Sequence, residues 1–577
     1  MSDADPMEAV MALFAPGGQY EIVTEDVLGV DLSVYKNRFR SMRDLIAIAD
    51  TRADVDWIVQ GDRRLTFGEH NALVRSVMVA LTELGVERGD RVAILTANTM
   101  EWVVLFWACA GLGVAAVPLN AWWKAEELDF ALRDSGAKVL FCDPKRWDIV
   151  RDIVDEIDTL EHTFVMDLDE RDGSGRPGVE LLTPDDPGAL PDAAVDEDDI
   201  MAILYTSGTT GKPKGATITH RQALANLMNL ALGAAVSAAM GRGEAPSDTQ
   251  AAALLIVPLF HVTGACATMV TAYAAGSKLV LMPPGRFDPD HAMATIEREK
   301  VSSIGGVPTV MWRIVEAETF GQYDLSSVTR IGYGGAPAAP ELVERIKVAF
   351  PQVHNSLSTA YGLTESASVA TAISGQDYFD RPNSVGKPVP TVETMVIDDD
   401  GNPQPPNTVG ELALRGPTIM MRGYWNRPDA TAAVFLPGGW FRTGDIARID
   451  DEGFVYLVDR AKDMIIRGGE NVYCVEVENI LYEHPDVLDA ALVGVPHREL
   501  GEEVKAVVQL RTGSTVTEAE IKAHCALHLA SFKVPEYVEF RHEPLPRNPA
   551  GKILKQLLRG DEAASAFAPG AADDAVL

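Results

Sequence analysis

The stretch that most constrains this chain is 205–215, read as Tyr-Thr-Ser-Gly-Thr-Thr-Gly-Lys-Pro-Lys-Gly. An apolar run over 200–205 reaches it as a buried strand, so the loop leaves from the end of a sheet. Beyond Tyr205 it gathers four Ser or Thr hydroxyls, two lysines and three glycines. Glycines let the backbone approach a ligand and turn N–H groups toward it, and hydroxyl and ammonium groups add donors. That is the chemistry of a polyphosphate cradle. A Walker loop needs Gly-x-x-x-x-Gly-Lys followed by Ser or Thr, whereas Gly208 and Gly211 are three apart and Pro213 follows Lys212.

Size and charge narrow the reading further. The 577 residues are 47% hydrophobic and 23% charged, enough for several domains or subdomains. A net charge of −34, from 84 acids against 50 bases, argues against nucleic acid as a partner, because phosphate contacts need a basic surface. It also means that a phosphate site must concentrate positive charge against the field of the chain. Cys109, Cys142, Cys266, Cys474 and Cys525 are widely spaced, odd in number and without metal-ligand spacing. They read as buried free thiols in a reducing cytoplasm. The N-terminus lacks a signal peptide's basic start and apolar core. The most hydrophobic run, 102–118, is shorter than a membrane span and broken by Gly111 and Gly113, so it reads as a buried helix feeding a buried strand.

Along the chain, residues 1–60 carry few signals and 64–85 has helical spacing. Strand-like runs at 91–95, 115–119 and 138–142 alternate with helical ones at 100–110 and 125–135. The acidic stretch 167–199 reads as a surface excursion. After the loop, 221–234 is helical and 238–249 reads as a mobile loop. Alternation resumes with strands at 253–257, 278–282, 303–305 and 330–332, and helices near 288–300 and 339–350. Such alternation predicts parallel α/β units covered on both faces. Beyond about 383 the texture turns β-rich, and strands at 490–495 and 504–510 with helices at 475–483 and 518–529 predict a small mixed unit. The fold class is therefore α/β: a large domain of layered subdomains, one β-rich, followed by a small α+β domain. The tail 561–577 lacks periodicity and reads as disordered.

Six further segments carry chemistry. Pro258-Leu-Phe-His-Val-Thr-Gly follows a strand and puts His261 at its carboxyl end, where open α/β sheets bind ligands. Gly332-Tyr-Gly-Gly-Ala-Pro is a strand and a tight turn. Tyr361-Gly-Leu-Thr-Glu-Ser places an aromatic ring, a hydroxyl and a carboxylate together. Trp440-Phe-Arg-Thr-Gly-Asp leads toward Asp459-Arg-Ala-Lys-Asp-Met-Ile-Ile-Arg-Gly-Gly-Glu-Asn, and Pro546-Arg-Asn-Pro-Ala-Gly-Lys-Ile-Leu-Lys closes the series.

The loop at 206–215 resembles the signature of the adenylate-forming superfamily of acyl-CoA synthetases, adenylation domains and luciferases. The other segments resemble that family's motifs in the family's order over about residues 40–556. The resemblance implies an N-terminal AMP-binding domain over 1–459, a mobile C-terminal domain over 460–560, and an acyl-CoA synthetase using ATP, Mg²⁺ and coenzyme A on a small-molecule carboxylic acid. Carried over, Thr206, Ser207, Gly208, Thr209, Thr210, Gly211 and Lys214 hold phosphates. Gly334, Gly335, Ala336, Pro337, Tyr361 and Gly362 line adenine. Thr364 meets the α-phosphate, Glu365 the metal, and Asp445 both ribose hydroxyls. Arg460 reaches ribose or phosphate, Lys462 is the pivot, Gly468 and Gly469 border the pantetheine channel, and Lys552 is the mobile adenylation lysine.

His261 stands between nucleotide and acyl group, and the acyl pocket draws on His261, Val262, Thr263, Ala267, Gly332, Gly334 and Ala360. These are mostly small and apolar, which suits a fatty, aryl or polycyclic acid. The family's usual Gln-Gly before the Tyr is here Thr359-Ala360, an added methyl where the pocket begins. Arg442, Arg460, Lys462, Arg467, Lys533, Arg547, Lys552 and Lys555 fall at the implied junction and are expected to focus positive charge there. The alternative within the family is an adenylation enzyme that loads a carrier protein. Luciferase chemistry is disfavoured by Ile466 at the position of an oxidation lysine, and a non-enzymatic role by the retention of Glu365, Asp445 and Lys552. No integral membrane segment is expected, and a homodimer is left open.

Overall fold

The computed structural model describes residues 6–166, 188–206, 213–240, 249–335, 340–419, 422–460, 463–467, 470–498, 500–548 and 551–559. The architecture grows from the helix Met100–Leu112, apolar on every side and buried at all 13 of its residues. A helix of that kind has to lie inside a layered core. Thr99 caps its first turn by accepting a hydrogen bond from the Trp102 N–H, and left-handed Gly113 ends it at φ 72°. Its side chains join one continuous core with Val92, Ala116 and Phe141 of one sheet and Ile58, Leu255 and Leu279 of another.

Among the described residues the first sheet has six strands, ordered Lys214–Thr219, Ile200–Thr206, Ala115–Pro118, Arg91–Leu95, Val139–Cys142 and His162–Val165. The second has nine, from Lys387–Pro388 through Thr371–Ser374, Leu357–Tyr361, Arg330–Gly334, Ser303–Gly306, Ala252–Leu255, Lys278–Leu281 and Asp56–Gln60 to Arg63–Thr66. Its central strands run parallel, as βαβ crossovers require. A β-rich sheet follows over 393–460, in which Trp440–Ile449 pairs with Gly410–Arg415 and with Val455–Arg460. A separate sheet then begins at Ile465–Arg467, centred on the long hairpin Val487–His497 and Gly501–Leu510. The helices Cys474–Tyr482 and Glu518–His528 close its core. This is the expected α/β fold with a β-rich subdomain and a small α+β unit.

Three features differ from the expectations. The strand Lys214–Thr219 pairs antiparallel with Ile200–Thr206, a partner the sequence reading did not assign. The hairpin Ile22–Val27 and Val30–Tyr35 arises in the segment with few signals. The helix His220–Ala239 outruns its expected end. That helix is long and apolar enough to cross a membrane, but half of it is buried here, and Gln222 and Asn226 bond to neighbouring segments. The five cysteines are free and buried as expected. The tail 561–577 and residues 167–187 and 241–248 of the expected excursion and loop lie outside the described residues.

Candidate active site

Strands Ala252–Leu255, Ser303–Gly306, Arg330–Gly334 and Leu357–Tyr361 are consecutive parallel neighbours, so their carboxyl ends share one sheet edge. Open α/β sheets bind ligands at such an edge. His261, the turn at Gly334–Gly335 and Tyr361–Glu365 all leave from it. Gly335 takes φ +77°, and a Cβ on Gly362 would overlap the Ser368 carbonyl oxygen, so both positions demand glycine.

On one side of this edge Thr206 pairs with Lys214 across the hairpin, its Oγ1 donating to the Lys214 carbonyl at 3.3 Å. The Lys214 ammonium stands 5.3 Å over the ring of Tyr424. Tyr424 donates its hydroxyl to Glu365 Oε1 at 2.6 Å, and burial beside that carboxylate drives the phenol pKa up. Tyr424 bridges to Ala216 and Trp425 N–H donates to the Gly215 carbonyl at 2.8 Å, so the segment 423–425 runs along the strand leaving the phosphate loop. Glu365 has no basic partner among the described residues. Tyr361 donates its hydroxyl to Asp445 Oδ2 at 2.6 Å, and Arg460 Nε lies 3.2 Å from Asp445 Oδ1. Strand pairing sets Asp445 directly opposite Arg460, and Asp445 is only 5% exposed.

On the other side the chain after His261 forms a π-helix, Thr263–Val270, a geometry frequent at functional sites. Thr263, Ala267 and Thr268 are half-buried, and Val262 is packed into the main core. A Cβ built on Gly305 would meet only Thr268 Oγ1, at 3.8 Å, and one on Gly332 would meet Ser358 Oγ at 3.1 Å. Helix and sheet edge thus face one space, with Ala360 paired to Gly334 beside it. The His261 ring packs on Phe260, which meets Trp122 edge-on. Burial first, and then the Lys552 ammonium, lower the His261 pKa to about 4, so the imidazole is neutral near pH 7.

The Lys552 charge is felt at His261 because its loop docks on the large domain. Lys552 N–H donates to Asn548 Oδ1 at 2.9 Å, and Arg547 bridges to Ile553. A Cβ on Gly551 would lie 3.1 Å from Val307 and 3.6 Å from Thr309 Oγ1. Arg511 of the small unit also meets Glu316 at 3.2 Å. At the junction, Asp459 accepts the Cys474 N–H at 2.5 Å, and burial pushes its pKa up to about 6.

The expected focus of positive charge is corrected. Arg442 pairs with Glu411, Arg460 with Asp445, Arg467 with Glu503, Lys533 with Glu476, Arg547 with Asp489 and Lys555 with Glu478, at 2.5–3.2 Å. In a chain this acidic, most junction bases find a carboxylate first. Ser207, Gly208, Thr209, Thr210, Gly211, Ala336, Pro337, Lys462, Gly468 and Gly469 lie outside the described residues. Sequence reasoning missed Tyr424, Thr268 and Gly305. Tyr424 sits in Arg-Gly-Tyr-Trp-Asn, which carries no pattern beyond a turn.

Residues 44–425 match the family described as AMP-binding enzyme, and 476–552 match the AMP-binding enzyme C-terminal domain. The chain belongs to this AMP-binding enzyme family. Among its relatives, a feruloyl-CoA synthase from Amycolatopsis sp is 36% identical over 506 residues, covering 86% of this chain and 94% of the relative. A long-chain-fatty-acid–CoA ligase from Mycobacterium tuberculosis is 35% identical over 511 residues, covering 86% and 93%. The crystal structure of an anthranilate–CoA ligase with anthranoyl-AMP superposes with a TM-score of 0.81 at 27% identity, over 92% of this chain and 98% of that one. In this AMP-binding enzyme, His261, Tyr361 and Glu365 stand at one sheet edge.

Proposed function

We infer that the chain is an ATP-dependent, AMP-forming acid–CoA ligase acting on hydrophobic carboxylic acids through an acyl-adenylate. The observation that carries the site assignment is the docking of the Lys552 loop, through Gly551, on Val307 and Thr309 at the sheet edge that also presents His261 and Tyr361–Glu365. Asp445 accepts the ribose hydroxyls with oxygens already aligned by Tyr361 and Arg460. Thr206, Lys214 and the loop between them cradle the phosphates, and Thr364 donates to the α-phosphate.

Glu365 fits a magnesium ion: it is a hard oxygen donor with one oxygen free of protein hydrogen bonds and no basic partner among the described residues. Bound there, the ion would neutralise charge on the triphosphate.

The acid lies in the space between the π-helix and Gly305, Gly332 and Ala360, with His261 neutral beside its carboxylate. In the first step a carboxylate oxygen bonds to the α-phosphorus and the bond to pyrophosphate breaks. Lys552 stabilises the shifting negative charge, so the protein's work is positioning and electrostatics. In the second step the small domain turns about Lys462 and withdraws Lys552. The coenzyme A thiol, losing its proton, then bonds to the acyl carbon and AMP leaves. The division falls between Arg460, still paired in the large domain's sheet, and Ile465, which opens the small one. One gated site thereby serves two reactants in turn.

The test is AMP and pyrophosphate release over a panel of acids from acetate through long-chain, cinnamic and polycyclic acids, each with and without coenzyme A. Turnover that needs coenzyme A and a hydrophobic acid supports the reading. Adenylate formation indifferent to coenzyme A would favour a carrier-protein acceptor.

A further inference from the structure

Six basic residues at the junction are spent on acids of the same chain, but two arginines that belong to none of the motifs are not. Arg313 lies on the helix Pro308–Val315, and Arg286 is exposed in the segment beyond the strand Lys278–Leu281. Among the described residues neither guanidinium makes a hydrogen bond or an ion pair. The charges that reach Arg313 are the guanidiniums of Arg286 and Arg547, and burial together with that repulsion holds its pKa below the ordinary value.

Their placement ties them to the cleft. Thr309 and Arg313 are four apart on one helix and so share a side. Thr309 faces Gly551, in the loop that carries Lys552, and its buried hydroxyl has no hydrogen-bond partner. Arg547 belongs to that same loop, donating to the Gly551 carbonyl at 2.6 Å while paired with Asp489. Lys278–Leu281 is the parallel neighbour of Ala252–Leu255, so Arg286 and His261 leave the sheet at the same edge. A half-buried guanidinium in the field of two others, with no counter-ion among the described residues, is an unfavourable arrangement. On a chain of net charge −34 it marks a place built for an anion brought from outside.

We propose that Arg286 and Arg313 form an anion site at the mouth of the cleft that binds a phosphate group of coenzyme A during thioester formation. The guanidinium fork suits phosphate oxygens. This site rests on the ligase reading given above. Pyrophosphate offers the same chemistry, but the 206–215 loop already serves the triphosphate. Both arginines belong to the large domain and Arg547 to the small one. Rotation of the small domain therefore removes the third positive charge and leaves the pair open to the second-step ligand.

The double variant Arg286→Ala/Arg313→Ala tests this with the full chain. ATP–pyrophosphate exchange without coenzyme A should stay within about twofold of wild type, while KM for coenzyme A rises by about tenfold or more, the scale of a lost charge-assisted contact. With pantetheine, which lacks phosphates, variant and wild type should perform alike. Arg286→Ala alone, at an exposed position, should give a smaller rise in the same direction and keeps the test available if the double variant folds poorly. An unchanged KM for coenzyme A overturns the proposal, as does an equal loss with pantetheine. A rise instead in KM for pyrophosphate reassigns the site to that product and also overturns it. Absence of exchange in the wild type would count against the ligase reading rather than against this site.

Discussion

Tyr424→Phe probes the join between phosphate loop and metal site. The substitution keeps the ring under Lys214 and deletes one atom, the hydroxyl that donates to Glu365 Oε1 at 2.6 Å. A hydrogen bond to a charged group contributes about 1.5–3 kcal/mol when its loss leaves the partner unsatisfied. Glu365 is half-buried, so water recovers part of this and about 1 kcal/mol remains. The loss should appear where the Glu365 carboxylate must be held in one orientation, as a rise of about fivefold in KM for MgATP in pyrophosphate exchange. Calorimetric binding of ATP in excess EDTA should not change, and thermal unfolding should shift by no more than about 2 °C. A variant that binds MgATP normally but melts well below wild type would show that Tyr424 only packs the 423–425 segment, and the positioning argument would fail.

Other substitutions address the remaining parts of the site. Lys552→Ala should lower acyl-adenylate formation by about a hundredfold or more while sparing thioester formation from supplied acyl-adenylate; equal loss of both steps in single-turnover assays would refute its role. Gly305→Leu should fill the space bounded by Thr268 and shift preference toward shorter or slimmer acids with KM for ATP unchanged, read from competition between acids of different size. His261 has a folded pKa of about 4 against 6.5 for the free group, so the unfolded chain takes up its proton first. Its contribution to stability is intact above pH 6.5 and is lost as pH falls toward 4; urea titrations of His261→Gln should show a flatter acid limb. Lys462→Pro should stiffen the pivot and spare adenylation while crippling the second step, which rapid-quench measurement of each step would reveal.

The layered α/β fold was legible because its parallel strands are continuous apolar runs and its buried helix Met100–Leu112 is apolar throughout. The motif residues stood out for a different reason, their resemblance to a family's ordered motifs, and strand pairing sets two of them, Asp445 and Arg460, opposite one another. What escaped depends on pairing between distant segments. Tyr424 reaches Glu365 only because its segment bridges to Ala216, a contact no local pattern encodes. The π-helix at Thr263–Val270 has an ordinary apolar composition and is revealed by backbone geometry alone. The junction bases looked like a positive focus, and only coordinates show each of six with its carboxylate while Arg286 and Arg313 have none among the described residues.

The central claim is that one cleft makes an acyl-adenylate and then passes the acyl group to coenzyme A. The direct measurement is a single-turnover reaction of enzyme with ATP, Mg²⁺ and a hydrophobic acid that supports turnover, quenched before and after coenzyme A is added and analysed by mass spectrometry. The account predicts acyl-AMP and pyrophosphate in stoichiometric amount before the addition, then acyl-CoA and AMP at the expense of acyl-AMP after it. Acyl-CoA formed without passage through enzyme-bound acyl-AMP, or acyl-AMP that persists when coenzyme A arrives, would contradict it.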